Sequence, residues 1–422
     1  MMKNRRWLIV TLALGLGMAG VLLALVRTGM AQPESPAATS AGGPPFPIIA
    51  ISSDHQNPAV AYDEGRDRYL VVYEAPSGGQ AAVCVDPDGT IVRIYTAGSG
   101  QHPDVVYSAD HDQYLIVYDS GGNIEGQFVS GSCCMQVGCI GAPFVISGDR
   151  PSTEYGPAVA YNTNSNHQDY LAVWTDTGGF GNGVYARQIL SAAQTPNPSF
   201  AITDTTAAWN YEPDVAYNLN RNEYLVVYTH DSSKGGDPNA LDIYGRLVKN
   251  FGGVAPLAEN PINTSANVQQ HATVAAHRLN YETPYLVAFD DYWNDPAGDV
   301  RAYLVFTTGV PSTPINIATV SGRQEILPDL ASSEPLGGFT AVWMQENGSD
   351  WDVYWRRVND NGFLYPSAPV VAVVGKSEEY PTVAGGIPTT LAVWQEQNAD
   401  WDIYARCLDY HKVYLPLVLR NE

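Results

Sequence analysis

The sequence predicts an all-β fold: a seven-bladed β-propeller with four antiparallel strands per blade, its ring closed by an N-terminal strand. Three observations carry that expectation. A two-strand phrase recurs seven times, further β-type runs follow each copy, and the last copy lacks a strand that the N-terminus can supply.

The phrase is clearest in "NPAVAYDEGRDRYLVVYE" (57–74), where two short apolar runs flank a polar bend. It returns at 102–119, 156–175 and 212–229, more weakly at 271–290, and in shortened form at 327–345 and 380–396. Its anchors are Pro58, Pro103, Pro157, Pro213, Ala272, Pro328 and Pro381, spaced 45 to 59 residues apart, a period that belongs to propellers and solenoids. Both runs are apolar on nearly every residue, although successive side chains of a strand point to opposite faces. Strands sandwiched between two neighbouring sheets explain this, because both of their faces are then dry. A proline at the start of the first strand fits as well, since a first residue can forgo its ladder bond.

A third run follows each phrase, as in "GVYARQIL" (183–190), "LDIYGRLV" (241–248), "WDVYWRRV" (351–358) and "WDIYARCL" (401–408). Turns such as "DPDG" (86–89) and "NDNG" (359–362) lead to a fourth, seen in "PFVIS" (143–147), "SFAIT" (199–203) and "PINIAT" (314–319). No sustained helical periodicity occurs between residues 46 and 410, so helices are not expected there. After the seventh phrase only a third run follows. "FPIIAIS" (46–52) stands at the right distance before Pro58 to be the missing strand and to latch the ring. An open solenoid would instead need capping units.

These repeats resemble those of exported bacterial propellers that read roughly P-x-V-A-Y … Y-L-V-V-W … D-I-Y-G-R, over residues 46–408. The D-I-Y run also resembles part of the TolB-type propeller repeat, whose S-P-D-G element is missing here. The resemblance implies the fold. The tail "VYLPLVLRNE" (413–422) resembles short C-terminal extensions of other exported bacterial proteins, and is expected to be either a sorting signal or a strand packed on the ring.

Residues 1–31 read as an export segment: a basic start, a 20-residue apolar stretch from Trp7 to Val26, and small residues before Gln32. That stretch fits a cleaved signal peptide and is also long enough for an uncleaved anchor. Residues 32–45 read as a flexible linker, 46–410 as the propeller and 411–422 as a tail, with everything after Gln32 expected outside the cytoplasm. Four of the 22 Lys and Arg fall in 1–31 (Lys3, Arg5, Arg6, Arg27), leaving 18 against 44 acidic residues and a formal charge of −26. Such a surface repels nucleic acid and anionic lipid. A monomer is expected, touching a membrane only through an uncleaved anchor.

Five cysteines are present: Cys84, Cys133, Cys134, Cys139 and Cys407. A loop staple from Cys139 to Cys133 or Cys134 is the expectation for the central cluster. Cys84 and Cys407 occupy equivalent places in blades that adjoin across the closure. Sheets about 10 Å apart put them out of disulfide reach of each other.

Nucleophile, metal and phosphate-loop motifs are absent, and no cofactor is expected; calcium is the one ion the charge would suit. The candidate ligand residues lie where loops should converge on one face of the disc. They are His55, His102 and His271, just ahead of first strands, and Trp209, Trp293, Trp351 and Trp401, whose flat faces suit sugar stacking. The bland alternatives are solvated loop histidines and tryptophans wedged between blades. Acids recur after the second strand as Glu74, Asp119, Asp290, Glu346 and Glu396, where paired carboxylates would serve a glycosidase and single ones would cap turns. Three functions follow as expectations: an exported non-enzymatic propeller presenting its loop face to a glycan or cell-envelope protein, a polysaccharide-acting enzyme, or a structural or adhesive surface component.

Overall fold

The computed structural model describes residues 42–132, 140–164, 169–178, 182–190, 197–203, 208–237, 239–249, 255–277, 285–306, 310–332, 337–387 and 389–409. The expectations for the export segment, the tail and a staple within 133–139 lie outside those residues. No α-helix occurs among them.

Twenty-eight strands form seven antiparallel sheets of four. Blade 1 holds β2 (Gln56–Asp63), β3 (Arg68–Ala75), β4 (Gly79–Val85) and β5 (Ile91–Ser99). Blade 2 runs β6 (Gln101–Ser108), β7 (Gln113–Ser120), β8 (Asn123–Ser130), β9 (Phe144–Val145), and blade 3 β10 (Glu154–Tyr161), β11 (Asp169–Asp176), β12 (Gly183–Leu190), β13 (Phe200–Ala201). Blade 4 is β14 (Trp209–Asn218), β15 (Glu223–Asp231), β16 (Leu241–Lys249), β17 (Ala255–Asn263). Blade 5 is β18 (Gln269–Ala276), β19 (Tyr285–Asp291), β20 (Asp299–Val305), β21 (Ile315–Ala318), and blade 6 β22 (Glu325–Ser332), β23 (Phe339–Asn347), β24 (Asp350–Val358), β25 (Ala368–Val371). Blade 7 takes β26 (Glu378–Gly385), β27 (Thr389–Gln397) and β28 (Trp401–Asp409), with β1 (Phe46–Ile49) as its outer strand.

The closure is as the repeat phase predicts. Phe46 pairs with Ala405, Pro47 with Tyr404 and Ile49 with Ile403, while Ile48 is buried in the joint core of blades 7 and 1. Seven hydrophobic cores lie between successive blades, one per neighbouring pair, with no common centre. Second strands are therefore buried through their middle, β11 at every residue, which is why their sequence does not alternate.

The recurring arginine of the third strand joins blades. Arg187, Arg246, Arg356 and Arg406 each donate to a carbonyl on the outer strand of the preceding blade or just beyond it: Ile146, Ile202, Ile317 and Val370. In blade 2, Gln127 takes the same place and accepts the Gly98 N–H at 2.9 Å. The D-I-Y-G-R phrase is thus an assembly device. Cys84 is disulfide-bonded, and Cys407 is not its partner: the Cys407 Sγ donates to the Pro87 carbonyl at 2.8 Å.

Candidate functional site: the upper mouth of the channel

Each first strand breaks register between the second residue before its anchor and the residue after it, in all seven blades. The residue just before the anchor is left-handed every time: Asn57, His102, Gly156, Glu212, His271, Leu327 and Tyr380 have φ between 48° and 58°. These are β-bulges, and in six of the seven the residue that follows is a proline with no N–H to lose from the ladder. Rotation at the bulge turns the N–H of that residue toward the blade before it. His102 N–H donates to Glu74 at 2.7 Å, Glu212 to Thr175 at 3.1 Å, Leu327 to Asp290 at 2.8 Å and Asn57 to Gln395 at 3.1 Å, the last across the closure. Two of the acids that recur after the second strand, Glu74 and Asp290, are therefore blade-to-blade acceptors.

The same bulge places all seven residues, six of them with side chains, on the wall of one cavity of about 560 Å³ at the upper mouth of the channel. Two are the histidines the sequence singles out. His102 Nδ1 lies 3.1 Å from Asp119, and that bond raises its pKa. His271 Nδ1 lies 2.7 Å from the buried Asp290, while its Nε2 lies 3.8 Å from Glu212. Burial works against the charged His271 ring, but the Asp290 bond and both acidic charges outweigh it and raise its pKa. His55 does not join them. It is buried, its ring edge-on to Tyr73 and its N–H bonded to the Trp401 carbonyl, because it precedes its proline by three residues and not one.

One step down, Asp104, Asp214 and Asp329 stand in alternate blades. Each accepts two backbone N–H groups: Val105 and Val159, Val215 and Val274, Leu330 and Val383, at 2.7 or 2.8 Å. These N–H groups sit on the inner edge of the ring, where no further strand can pair with them. One carboxylate serves two blades, so three serve six, and blade 1 is the odd one. The three side chains are half-buried on the channel wall. Burial pushes Asp104 up to about 7, helped by the charge of Asp214, and pushes Asp214 to about 7 against the Val274 N–H. Burial raises Asp329 too. This ring is absent from the sequence-based candidates above, although the alternation of Pro-Asp with Pro-Ala, Ala-Thr and Pro-Thr is its visible signal.

The tryptophans are on the same face, since first-strand starts and second-to-third-strand ends point the same way. Trp293 is 49 % exposed, in the loop between β19 and β20, with the Arg301 guanidinium 5.4 Å from its ring. Trp209, Trp351 and Trp401 are half-buried at strand starts, whereas Trp174, Trp343 and Trp394, which end second-strand runs, are buried. Among the described residues no group of three or more His, Cys, Asp or Glu is placed to hold a metal ion. At the lower mouth, Tyr62, Tyr107, Tyr161 and Tyr217 line one side, their hydroxyls bonded to Asp67, Asp112, Asp110 and Asn222. That end serves the framework.

No protein-family model matches the chain, and no curated protein does. Among solved structures it is similar to a protein of unknown function from Dyadobacter fermentans, at 11 % identity and a TM-score of 0.50, over 86 % of this chain and 97 % of that one. It is also similar to the polysaccharide lyase Uly1 (10 %, 0.54, 89 % and 94 %) and to BBS1N, solved in complex with ARL6DN (10 %, 0.52, 89 % and 98 %). At such identities the likeness shows the fold alone. The chain is a seven-bladed β-propeller.

Proposed function

We propose that the protein is an exported, non-enzymatic binding propeller that presents its upper face to a glycan or cell-envelope protein. One observation carries this reading: the seven bulges deliver Asn57, His102, Gly156, Glu212, His271, Leu327 and Tyr380 into a single cavity. The ring needs their backbones for its joints but asks nothing of their side chains in common. Export rests on the leader-like N-terminus and the acidic composition. The test is glycan-array and envelope-extract binding by the wild type and by the double variant His102→Ala/Tyr380→Ala. Retained binding in the double variant would remove the mouth from the site.

A second reading rests on His271, an imidazole oriented by a buried aspartate with its other nitrogen toward the cavity. That arrangement suits a general base. The mouth carries Glu212, Asp104, Asp214 and Asp329 but no Lys or Arg, and its two imidazoles are already engaged by acids, so an anionic polysaccharide such as a uronate would meet an acidic wall. Turnover of a neutral polysaccharide that His271→Ala abolishes would favour the enzyme.

A further inference from the structure

A second cavity on the upper face, of about 550 Å³, lies where blades 4 and 5 meet. Asn239 and Leu241 reach it from the end of the β15–β16 loop, Asn267, Val268 and Gln270 from the approach to β18, and Tyr292 and Pro296 from the β19–β20 loop. Its size is that of a small-molecule site. Its lining is unusual for this chain: no Asp, Glu, Lys, Arg or His, in a protein of formal charge −22. We infer that this pocket binds a neutral hexose unit of a glycan, which deepens the binding reading above and rests on it.

The chemistry is selective in three ways. A sugar hydroxyl both donates and accepts, and a carboxamide offers one acceptor oxygen and two donor hydrogens, so Asn239, Asn267 and Gln270 form a matched set. Tyr292, Leu241, Val268 and Pro296 supply the apolar wall that the C–H face of a pyranose needs. A phosphate or uronate would meet no cation, while the Asp237 carboxylate beside the pocket is engaged by the Asn239 backbone and side-chain N–H groups. The loop is also held in place. Tyr292 N–H donates to the Val268 carbonyl at 3.0 Å, and the Tyr292 hydroxyl shares hydrogen bonds with Gln270 and Gln324. Next in sequence is the exposed Trp293, its indole set by Arg301, which Asp291 holds at 3.2 Å. An exposed, positioned indole beside a charge-free amide pocket extends the stacking surface by a second ring.

The experiment is calorimetric titration of the full chain with gluco-, manno- and galacto-hexaoses, with hexagalacturonate as the anionic comparison. The expected result is saturable binding of at least one neutral hexaose, weakened about tenfold in Tyr292→Ala, the loss of one aromatic stack. Asn239→Ala, at an exposed position, should weaken it similarly, because the amide donor and acceptor are both lost without adding a charge beside Asp237. Equal or tighter binding of hexagalacturonate overturns the inference. Neutral binding that both variants retain but His102→Ala/Tyr380→Ala loses also overturns it, and leaves the broader reading standing at the channel mouth. Absence of binding to every oligosaccharide overturns this pocket and the glycan arm of that reading together.

Discussion

Replacing Glu378 with Gln should destabilise the propeller at pH 5 and stabilise it at pH 8. Glu378 opens β26, fully buried, and neither carboxyl oxygen has a hydrogen-bond partner of good geometry. Burial first, then the charges of Glu396 and Asp352, pushes it up to about 8, which the Val373 N–H opposes only weakly. The sign follows from linkage. A folded-state pKa above the unfolded value of about 4.3 means the native state holds a proton that the unfolded state has released. Stability from this group is full below about pH 4 and drains as pH rises toward 8. The slope is about 1.4 kcal/mol per pH unit for one group, and the total would approach about 4–5 kcal/mol. Coupling to Glu396, which Lys376 binds at 2.5 Å, and local relaxation reduce this to about 2–3 kcal/mol. A Gln without partners costs about 1–3 kcal/mol at any pH. The variant should therefore lie below wild type by roughly 1–2 kcal/mol at pH 5 and above it by about 1 kcal/mol at pH 8.

The wild type should itself lose stability across that window, because Asp104, Asp214 and Glu325, each pushed to about 7 chiefly by burial, work in the same direction. So do His102 and His271, whose raised pKa values favour the protonated native state. The carboxylates held low, Asp112 and Asp149 among them, titrate below the window. With an unfolding entropy of about 0.8 kcal/mol/K for a domain of this size, 1 kcal/mol moves Tm by about 1.3 °C. Scanning calorimetry at half-unit steps from pH 5 to 8 should show Tm falling by several degrees. The wild-type and Glu378→Gln curves should cross. Parallel curves, or a wild-type Tm that rises with pH, would refute the reasoning.

Three further outcomes follow from the joints. Deleting 46–52 removes the buried Ile48 and the outer strand of blade 7. It should cost about 4–6 kcal/mol and expose a β28 edge, read as a lower Tm and concentration-dependent association; an unchanged melt would sink the latch. Arg246→Ala strands the Ile202 carbonyl and should cost about 1–3 kcal/mol in denaturant unfolding, against less than about 0.5 for an exposed Lys or Arg not bonded across blades. Non-reducing peptide mapping should place Cys84 in a disulfide that excludes Cys407, and a recovered Cys84–Cys407 peptide would contradict the closure geometry.

The blades were legible because their burial pattern is crude. Runs such as "YLVVY" and "YLAVW" are apolar on both faces, and only a sandwiched strand tolerates that. The latch was legible from the phase of Pro47 against Pro58. The mouth was not, because a local rule gives the wrong answer there. A residue before proline is expected to be extended, yet Asn57, His102, Glu212, Leu327 and Tyr380 are all left-handed. The compensation is a hydrogen bond to a neighbouring blade, whose acceptor is remote in sequence: Gln395 for Asn57, Glu74 for His102. For the same reason His55 and His102 look equivalent in sequence and are not. The tryptophans divide by element: one in a loop is exposed, while those at strand starts share their faces with neighbouring strands.

The repeats of one chain also allow a comparison that needs no second sequence. Around the ring, the anchor is Pro six times in seven and the residue two beyond it is Val six times in seven, the exceptions being Ala272 and Leu330. Those positions do the same work in every blade, packing or closing the inner edge. The bulge residue has identical backbone conformation in every blade, yet it is Asn, His, Gly, Glu, His, Leu or Tyr. If folding alone set it, the φ near +50° would favour Gly or Asn throughout, since a left-handed Leu or Tyr costs about 1–2 kcal/mol. Leu327 and Tyr380 carry that strain on the wall of an open cavity where their side chains stabilise no core. A backbone cost at these positions without a matching return in packing is what the proposed binding role of the mouth would account for.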